Sequence, residues 1–186
     1  MKHLIIAVFV AVAFTACTPS STNSQATIDK EIKALTTNAA KKDYLAKILS
    51  IDQQFRTGQE EEVQKKEGLT SQAYKDFLAN RTKLDRENYK KIDRYLAIHG
   101  HPKPMEVSLN LTSVPCTVIH HGGSYEEQAS HFKTMHQAYK SGYFTNYIFM
   151  LYLNGMYDQK FDKRLKLESP YTEEDEISAI QKALGL

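Results

Sequence analysis

The sequence contains no tryptophan and has almost no excess of charge of either sign. Its 24 Lys and Arg residues stand against 22 Asp and Glu residues, for a formal net charge of +2 over 186 residues. Because nucleic-acid-binding proteins carry a basic patch or stripe, this balance argues against a nucleic-acid partner. The sequence also lacks the glycine-rich phosphate loops, the zinc-protease helix and the nucleophile elbow that identify many enzymes. No cofactor is therefore predicted.

The first residues have the composition of an export signal. The run MKHLIIAVFVAVAFTAC has a basic start, an apolar middle and small residues before Cys17. Its apolar part is shorter than the roughly 20 residues that span a bilayer. The ending FTAC resembles a bacterial lipobox, in which the signal is cleaved before a cysteine that then receives acyl chains such as palmitate. We therefore predict a lipoprotein signal peptide over residues 1–16 and lipidation at Cys17. The alternative is an ordinary signal peptide followed by an unrelated cysteine.

These features predict a protein of the bacterial cell envelope that is held at a membrane, expected to be the outer membrane, by its lipid anchor. Residues 17–26, CTPSSTNSQA, have too few apolar side chains to fold and predict a flexible tether. Residues 27–186 are enough for one domain with its own core. The second cysteine, Cys116, has no disulfide partner if Cys17 is acylated, so packing must supply the stability.

Hydrophobic spacing predicts a mainly α-helical domain of about five to six helices. Apolar residues recur every three or four positions over 27–56, with an interruption at TTNAAKKD, and again over 71–99. The charged QEEEVQKKEG between them is either an exposed helical extension or a mobile loop. Residues 105–121 are favoured as a helix, because a strand there would have no partner in the chain. Further helices are expected over residues 124–141, from Thr145 and after Thr172.

Polar side chains interrupt the apolar faces of the first two long helices. On the first helix they are Asp52 and Arg56, and on the second they are Arg81, Asp85 and Asn88. Burying such groups without partners is costly, so they should contact one another or water. One interpretation is a structural network in which Asp52 pairs with Arg81 and Asp85 pairs with Arg56. The other is a polar pocket between the two helices.

Six of the seven histidines lie between residues 99 and 136, which raises the question of a metal site. They are His99, His101, His120, His121, His131 and His136. Their spacings do not align two rings on one helical face, so whether a metal binds stays open. Cys116 lies one turn before His120, as a thiol nucleophile and its base would. A small buried hydrophobic cysteine is the favoured interpretation.

Three motifs, in their order along the chain, resemble an uncharacterised family of bacterial helical domains found in secreted proteins and lipoproteins. The motifs are DQQFR with Asp52, Gln53 and Arg56, DRENYKKIDRYLAIHGHP with Asp85 and Asn88, and VIHHG with His121. The resemblance spans about residues 43–186 and implies a helical domain in which these side chains share one site. It implies no activity. The chain departs from the family at Asn154 and Gly155, where Asp-Arg is usual, and in the segment QKFDKRLKL.

Three functions fit the predicted site. The preferred one is a binding module that holds a small polar or peptide ligand, with Arg56 pairing an anionic group. The second is a hydrolase-type enzyme in which Asp52 or Asp85 orients His121 as general base, with or without a metal. The third is a structural or assembly lipoprotein whose polar network only specifies the fold. The residues of the predicted cleft are Asp52, Gln53, Arg56, Asp85, Asn88 and His121.

Overall fold

The computed structural model describes residues 25–56 and 58–186, and these residues form helices and no strands. The predicted signal peptide, Cys17 and residues 17–24 of the predicted tether lie outside the described residues. In chain order the helices are α1 (Gln25–Lys33), α2 (Asn38–Gln53), α3 (Gln59–Glu67), α4 (Gln72–His99), α5 (Leu109–Thr112), α6 (Val114–Gly122), α7 (Tyr125–Lys140), α8 (Asn146–Phe161) and α9 (Glu173–Leu184). Within the described part of the chain, no helix is both long enough and apolar enough to cross a membrane.

The mainly α-helical prediction is confirmed, but the described helices outnumber the five to six expected. The interruption TTNAAKKD divides the first predicted helix, and the Thr37 side chain accepts the backbone N–H of Ala40 to start α2. The charged segment after Gly58 is a helix of its own, α3, and the one-turn α5 precedes α6. The sequence left the α3 segment open between a helical extension and a loop, because Val63 is its one apolar residue, and the single turn of α5 is too short to show a hydrophobic period.

The most apolar of the short helices, α6, lies at the centre of the packing. Its buried residues are Val114, Pro115, Cys116, Val118 and Ile119. It contacts α4 and α8 most extensively, and it also contacts α2, α5 and α7. Because each fully buried aliphatic side chain contributes roughly 1.5–3 kcal/mol, this position fixes α6 firmly. The last turn of α6 carries His120 and His121, so the core itself positions both imidazoles.

The closest approach of α6 to α4 is at Gly122. A Cβ added at Gly122 would lie 2.3 Å from the backbone oxygen of Asp85 and 2.9 Å from the Cβ of Tyr89. Any side chain at this position would force the two helices apart, so the crossing requires glycine. The crossing places His121 beside Asp85, although the two residues are far apart in the sequence.

The hydrophobic core of the described residues extends along the whole helical domain. Its buried apolar side chains begin at Ile28 in α1 and end at Leu184 in α9. Aromatic rings fill much of the space between α7 and α8, where Tyr139 and Phe149 stack with ring centroids 4.4 Å apart. A chain that begins at Gln25 therefore carries all of this core.

Candidate functional site

Asp52 and His121 form the buried centre of the candidate site. Asp52, near the end of α2, is only 1% exposed, and its carboxylate oxygens lie 2.9 and 3.1 Å from Nδ1 of His121. The Nε2 amide of Gln53 donates to the same carboxylate over 2.8 Å. These contacts fix the orientation of the imidazole ring, which turns its other nitrogen, Nε2, away from Asp52.

Arg56 connects α2 to α4 and α6 through its guanidinium. Nη1 donates to the backbone oxygen of Asp52 at the end of α2, over 2.9 Å. Nη2 donates to Oδ1 of Asp85 in α4 over 2.8 Å, and Nε donates to Nε2 of His121 in α6 over 3.2 Å. Since a guanidinium only donates, Nε2 of His121 is the acceptor, and the imidazole proton lies on Nδ1 facing Asp52. We call these four residues the Asp52–His121–Arg56–Asp85 network.

The network holds the Asp52 carboxyl in its charged form. Burial raises the pKa of Asp52, but the hydrogen bond from His121, the positive charge of Arg56 and the hydrogen bond from Gln53 act in the opposite direction. The net effect places the pKa of Asp52 below its ordinary value. The carboxylate therefore remains an acceptor for His121 at neutral pH.

The structural interpretation predicted two ion pairs. One of these predictions is confirmed and the other is wrong. Arg56 does pair with Asp85. Asp52 does not pair with Arg81, because Arg81 contacts Glu60 of α3 at 2.5 Å. The charged segment that forms α3 is expected from its composition to be solvated, and the sequence therefore does not indicate Glu60 as a partner of Arg81.

Asn88 lies on α4 three residues after Asp85 and is 1% exposed. Its Nδ2 atom has no hydrogen-bond partner among the described residues. No hydrogen bond of the described residues joins Asn88 to the Asp52–His121–Arg56–Asp85 network. Five of the six predicted site residues therefore lie in one hydrogen-bonded group: Asp52, Gln53, Arg56, Asp85 and His121. Asn88 lies on α4 with Asp85 but does not join this group.

A cavity of about 330 Å³ opens beside the network, and we call it the polar cavity. It is lined by Leu49, Gln53, Arg56, Ser113, Thr117, His120, His121, Ile148 and Leu151. The side chains of Arg56 and His121 are 20% and 19% exposed, so both are accessible. Asp52 and Asp85 are not part of the lining, which leaves Arg56 as its charged side chain. The volume lies within the roughly 300–1,000 Å³ of small-molecule sites.

His120 was not among the predicted site residues, although it lines the polar cavity. Burial, followed by the nearby charges of His121 and Arg56, lowers the pKa of His120 to about 4, so its imidazole is neutral at pH 7. Its Nδ1 has no hydrogen-bond partner among the described residues and faces α8, where a Cβ at Gly155 would lie 2.4 Å away. Gly155 thus makes room for this ring.

The other clustered histidines are dispersed over the fold. His99 donates to the backbone oxygen of Ile32, and His131 lies 3.0 Å from a carboxylate oxygen of Asp93. Within residues 25–56 and 58–186, no group of three or more His, Cys, Asp or Glu side chains is placed to hold a metal ion.

Cys116 is completely buried in α6. Burial raises the pKa of its thiol, which disfavours the thiolate that a nucleophile requires. The thiol contacts the backbone oxygen of Ile148 at 3.9 Å, which places it against α8. Cys116 is therefore a packing residue, as the favoured interpretation held.

Comparison of the chain with protein-family models, curated proteins and solved structures finds no match. The resemblance to a family of bacterial secreted domains thus stays a prediction. The geometry of the polar cavity and its network carries the functional interpretation.

Proposed function

We propose that this protein is a lipid-anchored binding module whose polar cavity holds a small ligand through a hydrogen-bond acceptor group. The observation that carries the proposal is the placement of Arg56. Its side chain lines the polar cavity, while its ion-pair partner Asp85 and Asp52, whose backbone oxygen accepts from it, lie outside the lining. The cavity therefore presents the donors of a guanidinium to a ligand, and the ligand group that it fits is a hydrogen-bond acceptor.

The donors of Arg56 are held in place before a ligand arrives. Three of the five N–H groups that a guanidinium carries donate to Asp52, Asp85 and His121. The fork is thereby oriented, and N–H groups beyond those three can reach a ligand. Because the ordering of a long side chain costs free energy when it happens on binding, a pre-ordered Arg56 favours affinity.

A ligand-binding test uses the chain 25–186, which contains the complete described core. Small carboxylates, phosphate and amides would be screened by ligand-observed NMR against the wild-type chain and the Arg56→Gln variant. We expect at least one acceptor ligand to bind the wild type and to lose its signal with Arg56→Gln. Native mass spectrometry of the untreated chain would detect a ligand that co-purifies.

The matched control for this test is Arg94→Gln. Arg94 is also ion-paired, with Asp29 of α1 at 2.6 Å, but it does not line the polar cavity. Binding should therefore be unchanged in Arg94→Gln. Equal binding by the wild type and Arg56→Gln would contradict the proposed site, and absence of binding across the panel would contradict the proposed function.

The contact between Asp52 and His121 favours a second candidate function, hydrolysis with His121 as general base. A carboxylate on Nδ1 is the arrangement that holds a catalytic imidazole in one tautomer, with Nε2 left to take a proton. In the structure Nε2 accepts the Arg56 N–H instead, so a substrate would first have to draw Arg56 away. An ester panel would show turnover that disappears in His121→Ala and is retained in Arg94→Gln. Turnover retained in that variant would exclude His121 as the base.

The lipid anchor is a separate part of the proposal and rests on the sequence alone. The lipobox-like FTAC places Cys17 at the start of the mature chain, and multiple acyl chains would hold it at a membrane. Mass spectrometry of the N-terminal peptide from membranes should show acylated Cys17, and Cys17→Ser should release the chain from the membrane fraction. A mature chain with an unmodified Cys17 would contradict the anchor.

A further inference from the structure

A second opening lies next to the polar cavity, and its walls are mostly apolar. It has a volume of about 480 Å³ and is lined by Leu109, Asn110, Ser113, Gly142, Tyr143, Phe144, Thr145 and Ile148. We call it the apolar groove. Leu109, at the start of α5, is 62% exposed at this groove. The groove contains no charged side chain in its lining.

The polar cavity and the apolar groove are neighbours that share two wall residues. Ser113 and Ile148 line both openings, one from each side of the boundary. The polar cavity has Arg56 and two imidazoles in its wall, whereas the groove beyond Ile148 offers the rings of Tyr143 and Phe144. The two parts together have the polarity of an amphiphile, with one charged end and one apolar end.

We infer that the ligand is a small amphiphile with a carboxylate head and an acyl chain, the head in the polar cavity and the chain in the apolar groove. This inference rests on the proposed binding function. A carboxylate suits Arg56 because a guanidinium fork matches its two oxygens. Asp52 and Asp85 lie outside the cavity lining, where their carboxylates accept hydrogen bonds from His121, Gln53 and Arg56, so the charged side chain that lines the cavity is Arg56.

An acyl chain explains the groove better than a wholly polar ligand. A polar ligand confined to the cavity would leave Leu109 exposed. An acyl chain that passes Ile148 would cover the Leu109 side chain and remove its apolar surface from water. Each CH₂ that is buried improves affinity roughly fourfold, so the chain length sets the affinity until the groove is filled.

The test measures binding to the chain 25–186 by titration calorimetry in the absence of detergent. The probes are butyrate, hexanoate, octanoate and decanoate, with decanol and decylamine as molecules of the same chain and a different head. We expect affinity to rise roughly fourfold with each added CH₂ up to the length of the groove. Decanol and decylamine should bind at least tenfold more weakly than decanoate.

Two variants separate the head from the chain. Leu109→Gln keeps the side-chain size at an exposed position but makes the groove polar, so decanoate should bind about fivefold more weakly and butyrate equally well. Met105→Gln is the matched control, because Met105 is 85% exposed and does not line the groove. Arg56→Gln should weaken both carboxylates.

The outcomes distinguish this inference from the function on which it rests. If butyrate and decanoate bind equally well and both require Arg56, the binding function stands and the acyl-chain inference is wrong. The inference is also wrong if decylamine binds as tightly as decanoate, or if Leu109→Gln does not change the affinity for decanoate. Absence of binding for every carboxylate would overturn the inference, while binding of phosphate or an amide that requires Arg56 would still support the proposed function.

Discussion

The Nε–H of Arg56 donates to Nε2 of His121 over 3.2 Å, across 65 positions of sequence. This one hydrogen bond determines the tautomer of His121 and joins the end of α2 to the end of α6. It also occupies the imidazole nitrogen that a general base would use. Binding and catalysis at this site therefore make opposite demands on Arg56, since a binding site keeps it fixed and a catalytic base requires it to move.

The ion pair between Arg56 and Asp85 should contribute measurably to stability. Removing one partner leaves a largely buried charge without compensation, so Arg56→Gln or Asp85→Asn alone should cost about 2–3 kcal/mol. A double-mutant cycle by urea unfolding should give a coupling energy of about 1–3 kcal/mol. Lys65 and Glu61 provide the control pair, since their side chains are 78% and 76% exposed. Their coupling should stay below about 0.5 kcal/mol, and equal values for both pairs would contradict the prediction.

Asp52 should stabilise the fold in a pH-dependent manner. Its folded-state pKa lies below the ordinary value of 3.8, so the unfolded state binds the proton more readily. The stabilisation is fully present above that ordinary value and is lost as the pH falls through the folded-state pKa. Urea unfolding should show Asp52→Asn less stable than the wild type by about 2 kcal/mol at neutral pH, with the difference shrinking below about pH 4. A difference that is the same at every pH would contradict this account.

His101 and His120 should make the fold sensitive to mild acid. Burial lowers the pKa of each imidazole from 6.5 to about 4, so both are neutral when folded. The unfolded state binds these protons more readily, and stability is therefore full above pH 6.5 and falls as the pH drops from 6.5 towards 4. Each histidine should add up to about 1.4 kcal/mol per pH unit to that slope. His101→Gln and His120→Gln should each reduce the slope, and an unchanged slope in both would contradict the prediction.

Gly122→Ala should disrupt the crossing of α4 and α6. The added methyl would overlap the backbone of Asp85, so we expect a loss of about 3 kcal/mol or more and a weaker contact between Arg56 and His121. Gly185→Ala is the control, because Gly185 has a φ of 78° but nothing within 4 Å of an added Cβ. Backbone strain alone should then cost about 1 kcal/mol. Thermal unfolding would compare the two, and a similar cost for both would mean that the crossing adapts.

The long helices could be predicted from the sequence because they repeat their pattern many times. α4 begins after Ser71, whose side chain accepts the Tyr74 N–H, and ends at His99, as the apolar spacing over residues 71–99 predicted. The pairing of polar groups was harder, since a helical period gives the face of Arg81 but not the helix that it meets. Glu60 could be recognised as its partner only once α3 was known to fold.

The partners within the candidate site are separated too far in the chain for spacing rules to find them. Asp52 and His121 are 69 positions apart, and only the resemblance to a family of bacterial domains grouped them before the structure was known. The sequence does not indicate which residues line the cavity, because Leu49 and Ile148 have the spacing of core residues. A cavity is the space that packing leaves, and sequence periodicity does not describe that space.

The buried thiol of Cys116 has a consequence if the chain is exported to an oxidising compartment, as proposed. Once Cys17 carries acyl chains, Cys116 is the only thiol of the chain. Folding keeps it away from oxidants and from other thiols, and unfolding exposes it. Oxidation that occurs during such an opening would persist after the helices close or would prevent them from closing. An oxidised Cys116 would thus mark a molecule that has opened.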